Sequence, residues 1–584
     1  MKTYHESDIR RRVLVAGFVC AAWFAVLLLR LVQLQVFNHA AYKEIVVTQN
    51  SEEKTVRPRR GNIYDRNGRV LASSVPVFSI AVWPLRDETA AGLQARLGRL
   101  KPVLGLSQRE TAEALKRLVA ARRYTYLRKG VSEETAEAVR KLKLPGTEIE
   151  PAHKRSYPLK TLAAHLLGGV DADENGRTGV EAAYDMPLRG QEGKQIVSID
   201  SKRREYQTRV IEAPVPGRDL VLTIDATIQY IAERELARAV AEHSASWGSI
   251  VICEPETGEI LAMANFPTFD VNGAPDRADA WTNRAIQSSY EPGSTFKIVT
   301  AAAALETHRV AFSDVFDCRA GSITLGGLTI RDHTGMGVLS FPEVIIESSN
   351  VGTVKFATRM PQADFYAAIL KFGMGARTGI DLPFEDRGKV RPLEIWNKRS
   401  SLPHIAIGYE MRATPLQILL AMNVYATRGL LVHPYVVRES VGPDGPVAAR
   451  PAPPARIISR LTADQMVTRA LEKVVERGTG KEGRLEGFSV AGKTGTAQIY
   501  DRELGGYTSK YVASFVGFVP ADRPAISMIV VLSEPKEGFY YGGQVCAPVF
   551  RDVARHVLRY LAVPPENPAA GRVVTASLGR GERP

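Results

Sequence analysis

An unbroken uncharged run of seventeen residues, Val13 to Leu29, constrains this chain more than any other stretch. Arg10, Arg11 and Arg12 precede it, and Arg30 and a second apolar group from Leu31 to Val36 follow. Counted through Val36, with Arg30 snorkelling to the interface, the segment is long enough to cross a bilayer once. A buried core helix and a cleavable signal peptide are the weaker alternatives. The arginine triplet places the N-terminus in the cytoplasm by the positive-inside rule. Residues 1–12 are then a short cytoplasmic tail, residues 13–36 the anchor, and everything after Val36 extracytoplasmic.

The chain has 584 residues and 45% hydrophobic content, enough for two or three domains with large cores. Cys20 lies in the span, while Cys253, Cys318 and Cys546 are far apart and form no disulfide framework. No Cys-x-x-Cys or His-x-x-x-His occurs, so neither a metal nor a cofactor is expected. The formal charge of +13 is spread along the chain. Its basic runs, Arg57-Pro58-Arg59-Arg60 and Lys202-Arg203-Arg204, lack interleaved aromatics, which argues against nucleic acid. A solvated face, or one suited to acidic lipid or an anionic wall polymer, is the simpler reading.

From residue 37 to 216, β-like runs alternate with charged helical ones, with a strand expected at 75–82, a helix at 107–121 and exposed helix faces at 131–143. That mixture describes an α+β pedestal with few catalytic groups. Asn67-Gly68 is a turn signal, and Asp65, Arg66 and Glu181 are expected in structural ion pairs. The run Pro214 to Asp219 marks a boundary. In the following domain, 217–563, strands are expected at 220–224, 248–253, 259–264, 511–519 and 526–532. Helices are expected at 226–243, 295–306, 353–372, 416–427 and 549–561. This order describes a mixed sheet with helices on both faces and a helical subdomain. The Pro- and Gly-rich tail, 564–584, reads as disordered.

Chemistry enters at Ser294, which opens the third domain's alanine-rich helix after Pro292-Gly293, with Lys297 three residues on and on the same face. The lysine amine could take the hydroxyl proton, and backbone N–H groups at a helix start favour an oxyanion. Ser-x-x-Lys also occurs at Ser51–Lys54 and Ser533–Lys536, in a charged run and at the end of an apolar one; only Ser294 opens a long helix. Ser348-Ser349-Asn350 and Lys493-Thr494-Gly495-Thr496 follow in order, the latter placed just before a strand pair. Singly they are weak, since Ser-x-Asn also reads as a helix cap. Together they assemble the serine-lysine arrangement of penicillin-recognising enzymes.

Here the sequence resembles the class B penicillin-binding proteins, and within them the division-specific peptidoglycan D,D-transpeptidases. The resemblance runs from the anchor through Arg60–Gly68 and Gly179–Gly190 to the three motifs. Asn283-Arg284-Ala285, Thr414-Pro415-Leu416-Gln417, Tyr540-Tyr541-Gly542-Gly543 and Ala547-Pro548-Val549-Phe550 also match. It implies a penicillin-binding/serine β-lactamase-like fold and an acyl-enzyme on Ser294. Lys297 is the implied base, Ser348 the proton relay, and Asn350 the holder of substrate amide and Lys297. Lys493, Thr494, Gly495 and Thr496 are implied to bind substrate, with an oxyanion hole from the backbone N–H groups of Ser294 and Thr496, typically worth ~3 to 4 kcal/mol per donor. The implied partners are D-Ala-D-Ala stem peptides, β-lactams, the membrane, and a glycan polymerase with other proteins of the division machinery. One departure is Gly408-Tyr409-Glu410, where the family commonly has glycine in place of Glu410.

Rival readings remain. An α/β-hydrolase lacks its Gly-x-Ser-x-Gly elbow here, and Ser489 in Gly487–Ala491 is expected to be structural. D,D-Carboxypeptidases and serine β-lactamases share the three motifs but not the pedestal and anchor. A non-enzymatic penicillin-binding sensor conflicts with intact Ser294, Lys297, Ser348 and Lys493. An elongation-specific transpeptidase is the nearest alternative, although such relatives often carry aspartate where Asn350 stands.

Overall fold

The computed structural model describes residues 6–39, 42, 51–85, 88–121, 124–199, 205–273, 277–325, 327–397, 399–501, 503–536 and 540–566. The tail expected after Pro564 lies outside these from residue 567, as does the run Lys202-Arg203-Arg204. The Cα packing divides the chain into two compact units. One comprises Met1–Arg59, Val77–Ala152 and Gly190–Pro216; the other comprises Arg60–Pro76, His153–Arg189 and Gly217–Pro584. A single cut near residue 216 therefore does not describe the packing, because two segments expected in the pedestal count with the larger unit.

In the smaller unit the helix Glu6–Val32 continues into a π-helical turn, Gln33–Phe37, and its apolar side chains are exposed all round. Among the described residues it alone is long and apolar enough to cross a membrane. Helices Ala90–Leu104, Gln108–Ala121 and Glu133–Lys141 are each amphipathic, burying Leu93, Leu97, Leu100, Leu118 and Val139 in one small core. Strands Ser51–Val56, Gly193–Ile199 and Glu205–Glu212 form an antiparallel sheet. Ser51–Lys54 is thus extended, which removes that match from the nucleophile candidates.

The larger unit is built on a five-stranded sheet of β1 (Trp247–Cys253), β2 (Ile260–Phe266), β3 (Ala491–Asp501), β4 (Gly506–Val519) and β5 (Ile526–Ser533), in the order β2-β1-β5-β4-β3. All four pairings are antiparallel. A parallel strand pairing lies elsewhere in the unit, between Ile63–Tyr64 and Leu220–Val221. Strands β1 and β5 are buried along nearly their whole length because helices cover both faces. On one face lie α1 (Ala226–Glu242) and the C-terminal α5 (Ala547–Tyr560), which share a core with Ile250, Phe515 and Val530. On the other lie α2 (Lys297–Glu306), α3 (Asn350–Ala357) and α4 (Pro415–Ala426). Every residue of α4 is buried, and Thr414 and Gln417 close its N-terminus as a capping box.

One expected helix is divided. The helix expected over 353–372 is two helices, α3 and Gln362–Lys371, because Pro361 can neither donate to the turn before it nor continue it. Lys493-Thr494-Gly495 precedes the strands β4 and β5, as expected, and itself stands inside the edge strand β3.

The motifs around Arg60 and Glu181 form a buried ion cluster. Glu181 accepts from Arg60 Nε at 2.8 Å, Arg155 Nε at 2.6 Å and the Tyr157 hydroxyl at 3.2 Å. Arg66 pairs with Glu259 at 3.0 Å, and Asp65 accepts from the backbone of Asn67, Arg69 and Ala226. Glu181→Ala leaves buried Arg155 without its carboxylate and Arg60 with Asp185 alone, and is expected to lower unfolding stability by about 3–5 kcal/mol. A denaturant melt of the anchored protein checks this; a shift below about 1 kcal/mol would contradict it.

Candidate active site

The nucleophile candidate is set in a tight turn and not in the α-helix itself. Gly293–Phe296 form one 3-10 turn, and α2 begins at Lys297. Ser294 is half-buried, whereas Lys297 is fully enclosed. Among the described residues the Ser294 hydroxyl takes no hydrogen bond. Ser533–Lys536, the third Ser-x-x-Lys, runs off the end of β5 and forms no helical turn.

Lys297 Nζ donates to the Ser348 carbonyl at 2.5 Å, to Asn350 Oδ1 at 2.7 Å and to Ser348 Oγ at 3.3 Å. Lys493, equally buried, reaches the same Ser348 Oγ at 2.9 Å and the Thr494 carbonyl at 3.3 Å. One hydroxyl thus joins two lysines from different elements. Burial pushes the Lys297 amine down to about 7, against an opposing pull from the Asp332 carboxylate. Lys493 is also held well below the ordinary lysine range, by burial first and then by the charge of Lys297.

Ser348 adopts a left-handed backbone, φ 58°, in the bend that leads into α3. Ser349 is the helix cap that Ser-x-Asn alone suggested: its Oγ accepts from Gly352 N at 2.9 Å. Asp332, which the sequence reading did not single out, anchors the bend. Its carboxylate takes the Ser349 hydroxyl at 2.7 Å and the backbone N–H of Asn350 and Val351 at 2.5 and 3.2 Å. No short motif marks Asp332, because it meets these residues only through the fold. Asn350 Nδ2 donates to the Arg331 carbonyl at 2.9 Å, so its amide oxygen faces Lys297.

Strand β3 runs beside the Ser294 turn. A Cβ on Gly495 would stand 2.8 Å from Thr295 Cγ2 and 3.1 Å from the Pro292 carbonyl, so only glycine permits this approach. Gly293 in turn lies against Thr496 and Ala497. Thr496 Oγ1 accepts from Gly542 N at 3.0 Å, while the Thr494 hydroxyl meets Thr479 Oγ1 at 2.8 Å. Ser489 bonds Glu566 at 2.9 Å, a structural contact. Lys297, Ser348, Asn350 and Lys493 thus share one hydrogen-bonded cluster, with Ser294 one turn away and Thr496 packed on its flank. Such a cluster offers a proton acceptor for a nearby hydroxyl and a relay between two amines.

Comparison with known proteins gives the family. The description "Penicillin binding protein transpeptidase domain" matches residues 248–555, and "Penicillin-binding Protein dimerisation domain" matches residues 55–222. The chain belongs to the class B penicillin-binding proteins, the family of serine-type peptidoglycan D,D-transpeptidases. It is 32% identical over 583 residues to the peptidoglycan D,D-transpeptidase FtsI of Escherichia coli, covering 98% of this chain and 95% of that one. It is 31% identical over 572 residues to the stage V sporulation protein D of Bacillus subtilis, covering 95% and 87%. Among solved structures, penicillin binding protein 3 of Mycobacterium tuberculosis complexed with aztreonam superposes with a TM-score of 0.69 at 28% identity, over 88% of this chain and 99% of that one.

Proposed function

We propose that Ser294 attacks the carbonyl between the two terminal D-alanines of a stem peptide, and that a second stem peptide's amine resolves the acyl-enzyme to form a wall cross-link. The observation that carries this reading is the Ser348 hydroxyl held between two buried lysines one turn from Ser294. Neutral Lys297 takes the Ser294 proton as Oγ bonds to carbon. The backbone N–H groups of Ser294 and Thr496 receive the oxyanion. As the tetrahedral intermediate collapses, the C–N bond breaks and Ser348 passes a proton to the departing D-alanine amine. The acceptor amine then repeats the sequence in reverse, losing its proton to the same relay.

Lys493, Thr494 and Thr496 bind the terminal carboxylate, with Gly495 admitting the substrate backbone. Lys493 is disfavoured as a cation in the free enzyme; a bound carboxylate favours its charged form, so charge arrives with the substrate. Asn350 orients Lys297 and the substrate amide. β-Lactams acylate Ser294 by the same route, in keeping with the aztreonam complex of the mycobacterial relative.

Asn350 supports a septal role over an elongation one, and the likeness to FtsI points the same way. In this reading residues 1–12 are cytoplasmic, 13–36 cross the inner membrane, and a division-machinery glycan polymerase engages the pedestal and anchor. Purified full-length protein given a D-Ala-D-Ala stem peptide and an acceptor stem is expected to produce cross-linked dimer detectable by mass spectrometry. Release of D-alanine without dimer would replace transfer by hydrolysis. Depletion in cells is expected to cause filaments, whereas rounding would assign the enzyme to elongation.

A further inference from the structure

We propose that Glu410 is a positioning residue for the Ser294 turn, acting through the loop it terminates. This inference rests on the acyl-transfer reading above. Glu410 holds the left-handed backbone geometry that glycine favours, at φ 57°. Its carboxylate is held on three sides. His404 Nδ1 lies 2.6 Å from Oε1, while Arg391 Nη1 and the Ser401 hydroxyl reach Oε2 at 2.9 and 3.1 Å.

The loop so fixed grips the residues immediately before the nucleophile. Gly293 N donates to the Gly408 carbonyl at 3.1 Å, and Glu410 N donates to Glu291 Oε1 at 2.9 Å. The Tyr507 hydroxyl, from β4, donates to that same Glu291 oxygen at 3.3 Å. Gly408, at φ 83°, approaches so closely that a Cβ there would fall 2.2 Å from the Gly293 carbonyl. The loop therefore holds the turn through a backbone bond to Gly293 and a bond to the Glu291 carboxylate, and Glu410 holds the loop. Its side chain contacts neither Ser294 nor the lysines, so its effect is on the placement of Oγ.

Acylation by a fluorescent penicillin, followed over time in detergent-solubilised full-length protein, separates placement from folding. Glu410→Ala keeps a Cβ in a left-handed backbone but loses the three bonds, and is expected to slow the limiting acylation rate by at least about tenfold. The half-saturating penicillin concentration and the final labelled fraction should stay close to the parent's. Glu410→Gly relieves the backbone but loses the same three bonds, and is expected to stay about as slow as alanine. An alanine variant as fast as the parent overturns the proposal. So does a loss confined to the labelled fraction, which would mean misfolding, or a glycine variant as fast as the parent, which would assign the effect to backbone strain and not to the carboxylate. An unlabelled parent overturns both this inference and the acyl-transfer reading.

Discussion

Ser294→Ala is expected to abolish covalent labelling by penicillin and to reduce cross-linking by at least roughly 10⁴-fold. The acyl-enzyme route splits one difficult displacement into two, and without Oγ neither half exists. The fold should be indifferent to the change. Ser294 is half-buried and its hydroxyl bonds to none of the described residues, so the expected stability change is within about 0.5 kcal/mol. Denaturing electrophoresis after incubation with fluorescent penicillin gives the result directly. A band that survives in the alanine variant would move the nucleophile elsewhere.

Lys297→Met is expected to slow acylation by roughly 10²–10⁴-fold, the range for a lost general base. Methionine fills most of the buried channel, so the loss reports chemistry more than packing. The parent should show a pH dependence that the variant lacks. The amine accepts a proton only when neutral, and burial brings its pKa down to about 7, so the acylation rate should rise with pH through about 7 and then level off. Stability follows the same sign. Between about 7 and the ordinary value of 10.5 the unfolded chain binds the proton that the folded one has lost, so stability linked to this lysine rises with pH there. Below that window its cost is fully present. A parent rate that is flat from about pH 5 to about pH 9 would remove Lys297 as the base.

Much of this molecule was legible in one dimension because the signals are local. Periodicity placed α1, α4, α5 and β5 to within a few residues, while β4 begins earlier, at Gly506, than the expected 511. Local signals also failed in informative places. The Ser294 turn is 3-10 and not α-helical, and Pro361 divides a helix. At the Ser294 turn and β3 the backbone geometry answers to neighbouring elements as well as to its own sequence: Gly408 presses on Gly293, and Thr295 on Gly495.

By itself the sequence determined the class of chemistry. The types and order of Ser294, Lys297, Ser348, Asn350 and Lys493 are covalent facts, and few reactions need that set. Only the tertiary structure decided which hydroxyl joins the two lysines, that Asp332 holds the bend at Ser348, and that Glu410 braces the turn before the nucleophile. Those contacts join residues that the chain keeps far apart, and the amine's lowered proton affinity exists only once burial has removed water from around it. Desolvation and long-range hydrogen bonds belong to the packed state, so no spacing along the chain could have announced them.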